Sequence, residues 1–578
     1  MREFNIKSLP DKNLIKEMSS EFGVGQVVTA LLLQRGINTK FDADEYLSAT
    51  RNYMHDPFLM KDMEKAVKLL ADARENNKRV WVFGDSDVDG ISALAIVCSS
   101  LKQLGFRVNR YLPDRLRDFY DLKPYQVDEM AEKGCDLLIT ADCGSNAVEA
   151  VERAKALGIN VIVTDHHIVA NPAPAHALVN PMQEDCEYPF KFLSGTAVAY
   201  KLIMAYTLKY SLDPWGFTDS VMDLLAFATV ADFMPLVGEN RVLVKCGLKA
   251  MENTEKPGLA ALLREAYLFK DITPKSLQFK VIPKLNSAGR MGRTEDAYQL
   301  IALGMEKRTD IKDVTESANA MLEEIDIINR ERLALEDEMA KEADSKIICD
   351  GLDKDKIIVV FNPEWCHAMC GNLSAKLCRK YRRPVISVGT IEKDGTVYAK
   401  GSGRNTDDSI NLFETVSGGE EFLHVFGGHK AAVGVTLFPE NVDDFRKKIN
   451  ENIVLNNETE EKSEAYDINL KISSVNLSLC ADVEKMGPFG EKNPEPVFVS
   501  KNLEIKQICA MGKEKQHTKM VFETVPGEFV EAVKWNWTCD DLEAGTLVDI
   551  AYTLDVNEFN FRKTPQLMLR DIIVHEDW

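Results

Sequence analysis

The sequence predicts an α/β protein with a parallel-sheet domain and a second α/β domain, joined by a long helix and followed by a small β-barrel. Three observations lead to this prediction: apolar strands that alternate with amphipathic helices, one uninterrupted helical pattern, and a C-terminal series of short strands between turns. The first pattern is typical of a parallel sheet covered on both faces. At 578 residues the chain is too long for one hydrophobic core, which agrees with several domains.

The parallel-sheet domain is predicted for residues 59–305, after a helical segment in residues 1–58. In that segment an apolar helix within residues 30–37 is stopped by Gly36, and we interpret the segment as a cap on the domain that follows. Near-continuous apolar runs suit strands that are buried on both faces. The predicted strands are residues 79–83, 136–140 and 160–164.

A connecting helix is predicted for residues 306–345, because residues 311–344 contain no proline or glycine and are rich in Ala, Leu and Glu. Such a helix can act as a rigid strut between domains. The second α/β domain is predicted for residues 346–455, with glycine-rich loops at residues 401–404 and 427–434.

The C-terminal part, residues 456–578, begins with a polar linker and continues as a β-rich domain. Five short strands separated by turns suit a small barrel such as an OB-fold. The predicted strand segments are PVFVSKNLEIKQICAM, HTKMVFETV, EFVEAVKWNW, TLVDIAYTL and PQLMLRDIIV.

The composition limits the possible functions. A formal net charge of −21 argues against broad, charge-driven coating of nucleic acid, so basic groups for any such ligand are expected to gather locally from distant parts of the chain. No apolar stretch approaches the roughly 20 residues of a membrane span, and the N-terminus lacks an apolar signal core, so neither a membrane partner nor export is expected. The 12 scattered cysteines favour a reducing cytoplasm.

An acidic motif follows the first predicted strand. Asp85, Asp87 and Asp89 alternate along GDSDVDG, and in an extended segment such residues project to one side. Three carboxylates at the edge of a sheet would repel one another, and divalent cations relieve such repulsion. The same spacing also suits an acidic turn followed by a helix N-cap, and the motif by itself does not separate the two interpretations.

Two more predicted strands end in similar chemistry, which favours a metal site. Asp142 follows the second strand, His166 and His167 follow the third, and Asp232 closes an otherwise apolar helix. Mixed carboxylate and imidazole ligands suit Mn²⁺ and tolerate Mg²⁺. Two such ions, roughly 4 Å apart, would activate water and stabilise the leaving oxygen of a phosphate ester or anhydride.

These residues resemble the DHH phosphoesterase superfamily, through GDSDVDG, DCG and VTDHH. Within it the chain is similar to the RecJ exonucleases, whose motifs occur here in order over most of the length. The motifs are YLPDR (111–115), VNP with YPFKFLSG (179–195), ATVADFMPLVGENR (228–241), IPKLNSAGRM (282–291), KGSGR (400–404), GGHKAAVG (427–434) and GPFGEKNPEPVF (487–498). The resemblance implies DHH, DHHA1 and OB-fold domains.

The resemblance also implies roles for individual residues. It places Asp87, Asp142, His166 and His167 in catalysis, with His167 close to the scissile phosphate. The implied ligands of two Mn²⁺ or Mg²⁺ ions are Asp85, Asp87, Asp89, Asp142, His166 and Asp232.

On the substrate side, Arg115, Ser402 and Arg404 resemble the family's pocket for a 5′-phosphate. A glycine loop and guanidinium groups suit a terminal phosphate, although GSGR also suits a simple surface turn. Arg290 would contact the DNA backbone, and His429 would lie by the site.

The resemblance assigns single-strand binding to the barrel, since OB-folds bind single strands by stacking and a charged groove. Trp535, Trp537 and Phe559 are candidates for stacking, but aromatic residues of small barrels more often fill the core.

Three segments depart from the family pattern. FYDL (119–122) places the carboxylate of Asp121 where a glycine is expected, and in WCHAMCG (365–371) His367 is displaced by one position. DCG is followed by Ser145 and Asn146 instead of an apolar–polar pair. None of these departures removes an inferred metal ligand.

The sequence therefore predicts a two-metal, single-stranded-DNA-specific 5′-to-3′ exonuclease that releases 5′-mononucleotides in DNA recombination and repair. Its expected partners are single-stranded DNA, a single-strand-binding protein and a helicase. Two alternatives stay open. One is a phosphodiesterase of short oligonucleotides or cyclic dinucleotides. The other is a non-catalytic, Cdc45-like DNA-binding scaffold, for which loss of the acidic ligands would be the sign.

Overall fold

The structure is a computed structural model that describes residues 3–118, 121–305, 311–393, 395–407, 409–455, 465–538, 542–559 and 562–575, without the side chains of residues 311, 312 and 559. In these ranges no helix combines the length and the apolar character needed to cross a bilayer. Three helices open the chain: α1 (Lys12–Phe22), α2 (Gln26–Gln34) and α3 (Lys40–Ser48).

The first α/β domain is built on a five-stranded, fully parallel sheet. Its strands are β1 (Arg79–Gly84), β2 (Arg107–Tyr111), β3 (Leu137–Ala141), β4 (Asn160–Thr164) and β5 (Ala177–Val179), in the order β2-β1-β3-β4-β5. Its helices are α4 (Met63–Glu75), α5 (Val88–Gln103), α6 (Pro124–Glu132), α7 (Val148–Ala156), α8 (Gly195–Lys209), α9 (Pro214–Ala231), α10 (Gly238–Met251), α11 (Pro257–Glu265), α12 (Pro274–Lys280), α13 (Ile282–Arg290) and α14 (Thr294–Ala302). The central strands are buried on both faces, as the apolar runs predict.

A 39-residue helix, α15 (Ile311–Cys349), leads to the second α/β domain. It continues past the predicted end because no helix breaker occurs before Gly351. The second domain contains β6 (Ile358–Cys366), α16 (Cys370–Tyr381), β7 (Val385–Lys393), β8 (Thr396–Arg404), α17 (Leu412–Ser417), β9 (Leu423–His429), β10 (Ala432–Leu437) and α18 (Val442–Glu451), with the strand order β6-β7-β8-β10-β9.

The C-terminal domain is a seven-stranded sheet of the order β11-β12-β16-β17-β15-β14-β13. Its elements are β11 (Ile468–Asn469), α19 (Leu477–Glu484), β12 (Phe498–Glu504), β13 (Gln507–Met511), β14 (His517–Val525), β15 (Glu528–Lys534), β16 (Leu547–Phe559) and β17 (Arg562–Val574). The first predicted strand segment is divided into β12 and β13, and buried Ile505 lies in the break between them.

Two sequence-based expectations about local structure were wrong. Residues 401–404 are part of β8 and pair with both β7 and β10, and residues 427–434 form the β9–β10 hairpin, so neither is a free loop. Glycine is needed in β8 for close packing rather than for a turn. A Cβ atom at Gly401 would lie 2.5 Å from the carbonyl oxygen of Ser387, and one at Gly403 would lie 2.7 Å from Val433.

We expected the N-terminal helices to cap the domain that follows them. They do not chiefly do so. Their apolar side chains, including Phe22 and Leu31, belong to one buried core with Phe498 and Tyr552 of the C-terminal sheet. Three short helices cannot bury an apolar face alone, and the barrel supplies the surface that covers it.

Arg241 of α10 joins the three parts at one point. Its guanidinium carbon lies 3.8 Å from the ring centre of Tyr46, its Nε donates to the Tyr46 carbonyl at 2.6 Å, and its Nη2 donates to the Gly487 carbonyl at 2.6 Å. The side chain is buried. It therefore ties the N-terminal segment and the C-terminal domain to the first α/β domain.

We expect Arg241→Met to loosen this junction. Two carbonyls would lose a charged donor, which costs about 2 kcal/mol or more. The measurement is limited proteolysis, in which cleavage between α3 and α4, where the N-terminal helices join the first α/β domain, should become faster while each domain stays resistant. An unchanged digestion pattern would show that the junction does not depend on Arg241.

Candidate metal and phosphate site

Acidic and imidazole side chains meet at the carboxyl edge of the parallel sheet. Asp85 follows β1, Asp87 caps the N-terminus of α5, and Asp142 follows β3. His166 lies just beyond β4, and Asp232 caps the C-terminus of α9. Because the strands are parallel, their carboxyl ends bring these distant segments together.

The ligand atoms form overlapping groups in which all atoms lie within 4.8 Å of one another. The groups are Asp85 with Asp87 and Asp142, Asp89 with His166 and Asp232, and Asp142 with His166 and His167. His166 Nε2 links them, at 3.2 Å from Asp142 Oδ1 and 3.5 Å from Asp232 Oδ2. All six predicted ligands are thus part of one cluster.

The backbone at Asp142 is shaped for this approach. Asp142 has a φ of 68°, in the left-handed region, and its N–H donates to the Thr164 carbonyl at 2.9 Å. A Cβ atom at Gly195 would lie 2.0 Å from Asp142 Oδ1, so only glycine lets the start of α8 pass the carboxylate. Gly195 belongs to YPFKFLSG, which the sequence showed as a motif without a role.

Asp89 differs from the extended arrangement that the sequence predicts. It lies in the first turn of α5, and its two carboxylate oxygens accept from the N–H groups of Gly195 at 2.8 Å and Thr196 at 3.0 Å. Alternation along a strand therefore does not explain how Asp89 reaches the cluster. Its carboxylate also fixes the N-terminus of α8.

The carboxylates are held close together in a buried place. Burial, and then repulsion from Asp87, raise the pKa of Asp85 to about 7 and the pKa of Asp89 to about 6. Burial and the charge of Asp89 raise the pKa of Asp232 to about 9, and the pKa of Asp142 is raised well above its usual value by the same two causes. This electrostatic cost is what bound divalent cations would remove.

The residues present fit such cations. Among the described residues, Asp142 Oδ1 and Asp232 Oδ2 are buried oxygens without a hydrogen-bond donor. Burial, and then the neighbouring His167, lower the pKa of His166 to about 4, so its imidazole is neutral and can act as a ligand. Carboxylate oxygens with one imidazole suit Mn²⁺ and Mg²⁺.

Asp165 is a functional residue that the sequence-based assignment missed. It is 1% exposed, and its Oδ1 lies 2.7 Å from Nδ1 of His167. Its carboxylate also accepts from the N–H groups of His166 and Ser145, at 2.7 and 2.9 Å. Asp165 therefore orients His167 and connects the turns after β3 and β4. The signal was present, because this aspartate precedes the two histidines directly.

A cavity of about 360 Å³ separates the acidic cluster from the second α/β domain. Asp85, Asp87 and His167 line one wall. The other parts of the lining include Arg115, Arg290, Lys400, Ser402 and Arg404. The four basic side chains among them come from the segment after β2, the end of α13 and strand β8, as expected for an acidic protein that binds an anion locally.

The basic groups also lie close enough to repel one another. Burial, and then the charge of Arg115, lower the pKa of Arg290 to about 10 and the pKa of Lys400 to about 8. Burial lowers the pKa of Arg404, whose Nη1 donates to Ser402 Oγ at 3.0 Å. The lining of the cavity is thus predisposed to bind an anion with several oxygens.

Two of the three departures from the family pattern lie in this cavity. His367 lines it, and burial, then the charges of Lys400 and Arg115, lower the pKa of His367 to about 4. Asp121 lines it with a φ of 74°, the conformation that a glycine would adopt easily, and burial raises the pKa of its carboxyl. The neighbouring Phe119 and Tyr120 lie outside the described residues.

The other predicted residues are elsewhere. His429 is an exposed residue at the end of β9, and it is not part of the described lining, so its role stays a prediction. Trp537 packs against the barrel core, whereas Trp535 is 55% exposed. The side chain of Phe559 is outside the described part of the chain.

Two α/β domains that place a carboxylate–imidazole cluster opposite basic groups define the class of protein as a metal-dependent DHH phosphoesterase. The sequence matches the DHH family, N-terminal domain (residues 79–229), the DHHA1 domain (354–455) and the RecJ OB domain (466–571). It is 32% identical to the single-stranded-DNA-specific exonuclease RecJ of Bacillus subtilis, over 98% of this chain and 70% of that protein.

A second relative, the single-stranded-DNA-specific exonuclease RecJ of Salmonella typhimurium, is 30% identical over 89% of this chain and 90% of its own length. The crystal structure of RecJ in complex with Mn²⁺ from Thermus thermophilus is similar at a TM-score of 0.80 and 25% identity, and the match covers 100% of this chain and 81% of that one. The chain therefore belongs to the RecJ family. These similarities do not favour either alternative, the short-oligonucleotide phosphodiesterase or the Cdc45-like scaffold.

Proposed function

We propose that this chain hydrolyses single-stranded DNA from its 5′ end, with two Mn²⁺ or Mg²⁺ ions, and releases 5′-mononucleotides. One observation carries the proposal: the cavity between the two α/β domains has the acidic cluster on one wall and a group of basic side chains in the rest of its lining. A nucleotide with a phosphate at each end fits this arrangement, since one phosphate meets the basic groups and the next meets the acidic cluster.

Each side of the cavity has its own task. Asp85, Asp87, Asp142, His166 and Asp232 would hold the two cations, with Asp89 at the edge of the cluster. When bound, the cations would lower the pKa of a water molecule and stabilise the leaving oxygen. Asp165 orients His167, which lines the cavity wall, and the scissile phosphate would bind beside this ring.

The basic side chains give the reaction its direction. Arg115, Ser402 and Arg404 would bind the terminal 5′-phosphate, and Arg290 the backbone beside it. Water attacks the next phosphorus, and the bond from phosphorus to the 3′ oxygen of the first nucleotide breaks. The released nucleotide keeps its 5′-phosphate, and the shortened strand again begins with one. The same pocket can therefore bind the strand for the next cycle.

The proposal is tested with strands labelled at either end. With Mn²⁺ or Mg²⁺, we expect mononucleotides to be released first from the 5′ end of a single strand, and no cleavage of a blunt duplex or in the presence of EDTA. Persistence of the intact single strand under varied metal and salt conditions would overturn the proposal.

We expect Arg404→Ala to weaken recognition of the 5′-phosphate. Loss of a charge-assisted contact raises KM for a 5′-phosphorylated strand by roughly 10- to 100-fold, with little effect on a strand that begins with a 5′-hydroxyl. Steady-state kinetics on the two substrates measure the difference. Arg379→Ala, at an exposed position near the end of α16, is the matched control. An equal effect on both substrates would place the 5′-phosphate elsewhere.

The proposal includes a setting for this activity. Among the described residues the cysteines are free thiols, in keeping with a reducing cytoplasm. A single-strand-specific nuclease needs unwound DNA, so we expect it to act with a helicase and a single-strand-binding protein, in DNA recombination and repair.

A further inference from the structure

We propose that Phe192 and Phe233 form an aromatic pair that stacks on bases of the DNA strand beyond the scissile phosphate, on the side of the metal cluster away from the 5′-phosphate pocket. This inference rests on the proposed function and adds to it a site for the part of the strand that is not yet cleaved. It concerns residues outside the predicted ligand and phosphate-binding sets.

Phe233 occupies an unusual position. It directly follows Asp232, its side chain is 62% exposed, and its φ is 53°. The left-handed conformation belongs to the end of α9, because the N–H of Phe233 donates to the Val230 carbonyl and the N–H of Met234 donates to the Thr229 carbonyl at 3.2 Å. Glycine usually occupies this position of a helix end, and here Phe233 presents an apolar ring to solvent beside a metal-ligand candidate. Burial in a core therefore does not account for this phenylalanine.

Phe192 is exposed and yet supported from behind. Half of the side chain is accessible (51%), and the ring stands edge-on to Phe190, with ring centres 5.9 Å apart and planes at 76°. Phe190 in turn packs so closely on Gly238 that a Cβ atom there would lie 2.9 Å from its ring. The support leaves the outer face of Phe192 available to a flat partner.

The two phenylalanines belong to segments that are fixed to each other. The side-chain amide of buried Asn240 donates to the Phe192 carbonyl at 2.5 Å and to the Pro235 carbonyl at 3.1 Å. Both segments also adjoin the metal cluster, since Phe233 follows Asp232 and the N–H of Gly195, three residues after Phe192, donates to Asp89 at 2.8 Å. The two rings thus flank the cluster at fixed positions.

The path of the strand places them after the cleavage point. Asp85, Asp87 and His167 face the basic cavity, whereas Asp232 is not part of its described lining. The side chain of Asp232 is 29% exposed, compared with 3% for Asp142, so the cluster opens to solvent at this end. A strand whose 5′-phosphate lies in the pocket crosses the cluster and leaves past Asp232 and Phe233.

Stacking suits the charge of this protein. A net charge of −21 argues against holding a long strand mainly through many phosphate contacts. An aromatic ring binds the face of any base without adding positive charge, and loss of one stacked base typically weakens binding by about 5- to 100-fold. The aromatic pair would therefore hold single strands in a sequence-tolerant manner.

The test combines protein variants with changes in the DNA. Phe233→Ala and Phe192→Ala are compared with Phe41→Ala, a change at an exposed phenylalanine on α3. The substrates are 5′-phosphorylated 20-nucleotide strands that are either complete or lack the bases at their second and third nucleotides. We expect each site variant to raise KM for the complete strand by roughly 10-fold, with kcat and the unfolding temperature retained. For the strand that lacks the two bases, KM should be the same for these variants and for the unchanged protein.

A second measurement detects stacking directly. The strand has a non-hydrolysable phosphonate as its first linkage and the fluorescent base 2-aminopurine at its second or third nucleotide. Binding to the unchanged protein should quench the 2-aminopurine fluorescence, and binding to Phe233→Gly should not. That variant relieves the left-handed backbone, so it should unfold at a higher temperature although it binds DNA more weakly.

The outcomes separate the two levels of the proposal. If the unchanged protein cleaves no single strand, the proposed function fails. A second case is that the protein cleaves DNA, but the variants and the base removal change KM independently of each other. A third is that Phe233→Gly quenches 2-aminopurine fluorescence as strongly as the unchanged protein. In either of these cases the aromatic pair does not bind bases, and only this inference is overturned.

Discussion

Asp142→Asn is expected to lower the rate of DNA cleavage by roughly 10³-fold, the largest effect on activity of any single change in the site. Asp142 lies in both the Asp85 group and the His166 group, so its carboxylate is shared by the two candidate ion positions. Asparagine has nearly the same shape and tolerates the φ of 68°. The substitution therefore removes charge while the turn after β3 stays intact.

The same variant should change the response to metal in a thermal unfolding experiment. Binding of Mn²⁺ stabilises the folded state of the unchanged protein, and this increase in unfolding temperature should be reduced in Asp142→Asn. Without metal, the variant should unfold at a higher temperature than the unchanged protein, because it has one fewer repelling carboxylate. Asp128→Asn, a change in an exposed ion pair with Arg153, is the control. A variant that keeps both the cleavage rate and the Mn²⁺ response would disprove the assignment of the metal site.

The sequence predicts the catalytic edge of the sheet well because of the way parallel sheets are buried. The strand predicted at residues 160–164 coincides with β4, β1 is one residue longer than predicted at its carboxyl end, and β3 is shifted by one residue at both ends. Strands buried on both faces leave long apolar runs, and polar residues at their carboxyl ends must converge. Asp85, Asp142 and His166 could therefore be placed together from local patterns alone.

Features that depend on contacts between distant segments could not be predicted in this way. Asp89 reaches the cluster from a helix turn because α8 supplies two N–H donors, and nothing near Asp89 in the sequence shows this. Lys400 and His367 come from the second α/β domain, and their part in the cavity depends on how the two domains face each other. The N-terminal helices carry an apolar face, but the pattern does not say which domain covers it.

The role of the glycines in GSGR is another feature that could not be predicted from the local sequence. Glycine in a sequence favours a turn, and at Gly401 and Gly403 it instead permits close approach of neighbouring strands and side chains. This changes the chemistry expected of the segment. The backbone N–H groups of a paired strand are engaged in the sheet, so Ser402 Oγ and the guanidinium of Arg404 remain the groups suited to bind phosphate.

Glu239→Ala should produce the largest loss of stability. Glu239 and Lys201 form an ion pair whose side chains are completely buried, and the other Glu239 oxygen accepts from the hydroxyl of Tyr188 at 2.6 Å. Lys201 also donates to the carbonyl of His55 at 2.8 Å. Removing the carboxylate leaves a buried ammonium group without its counter-ion, which costs about 3–5 kcal/mol. Calorimetry should show the transition of the first α/β domain lowered by on the order of 10 °C.

A second variant separates the cost of the unpaired charge from the value of the pair. When Lys201→Met is combined with Glu239→Leu, no charge is buried, and apolar side chains fill most of the same space, so the double variant should be more stable than Glu239→Ala. Glu64→Ala, which removes an exposed partner of Lys209, should leave the transition where it is. If the double variant is as unstable as the single one, the network that joins α8, α10 and His55 is itself stabilising. In that case the hydrogen bonds from Tyr188 and from the N–H of His55 to Glu239, rather than neutralisation of Lys201, account for the burial of this carboxylate.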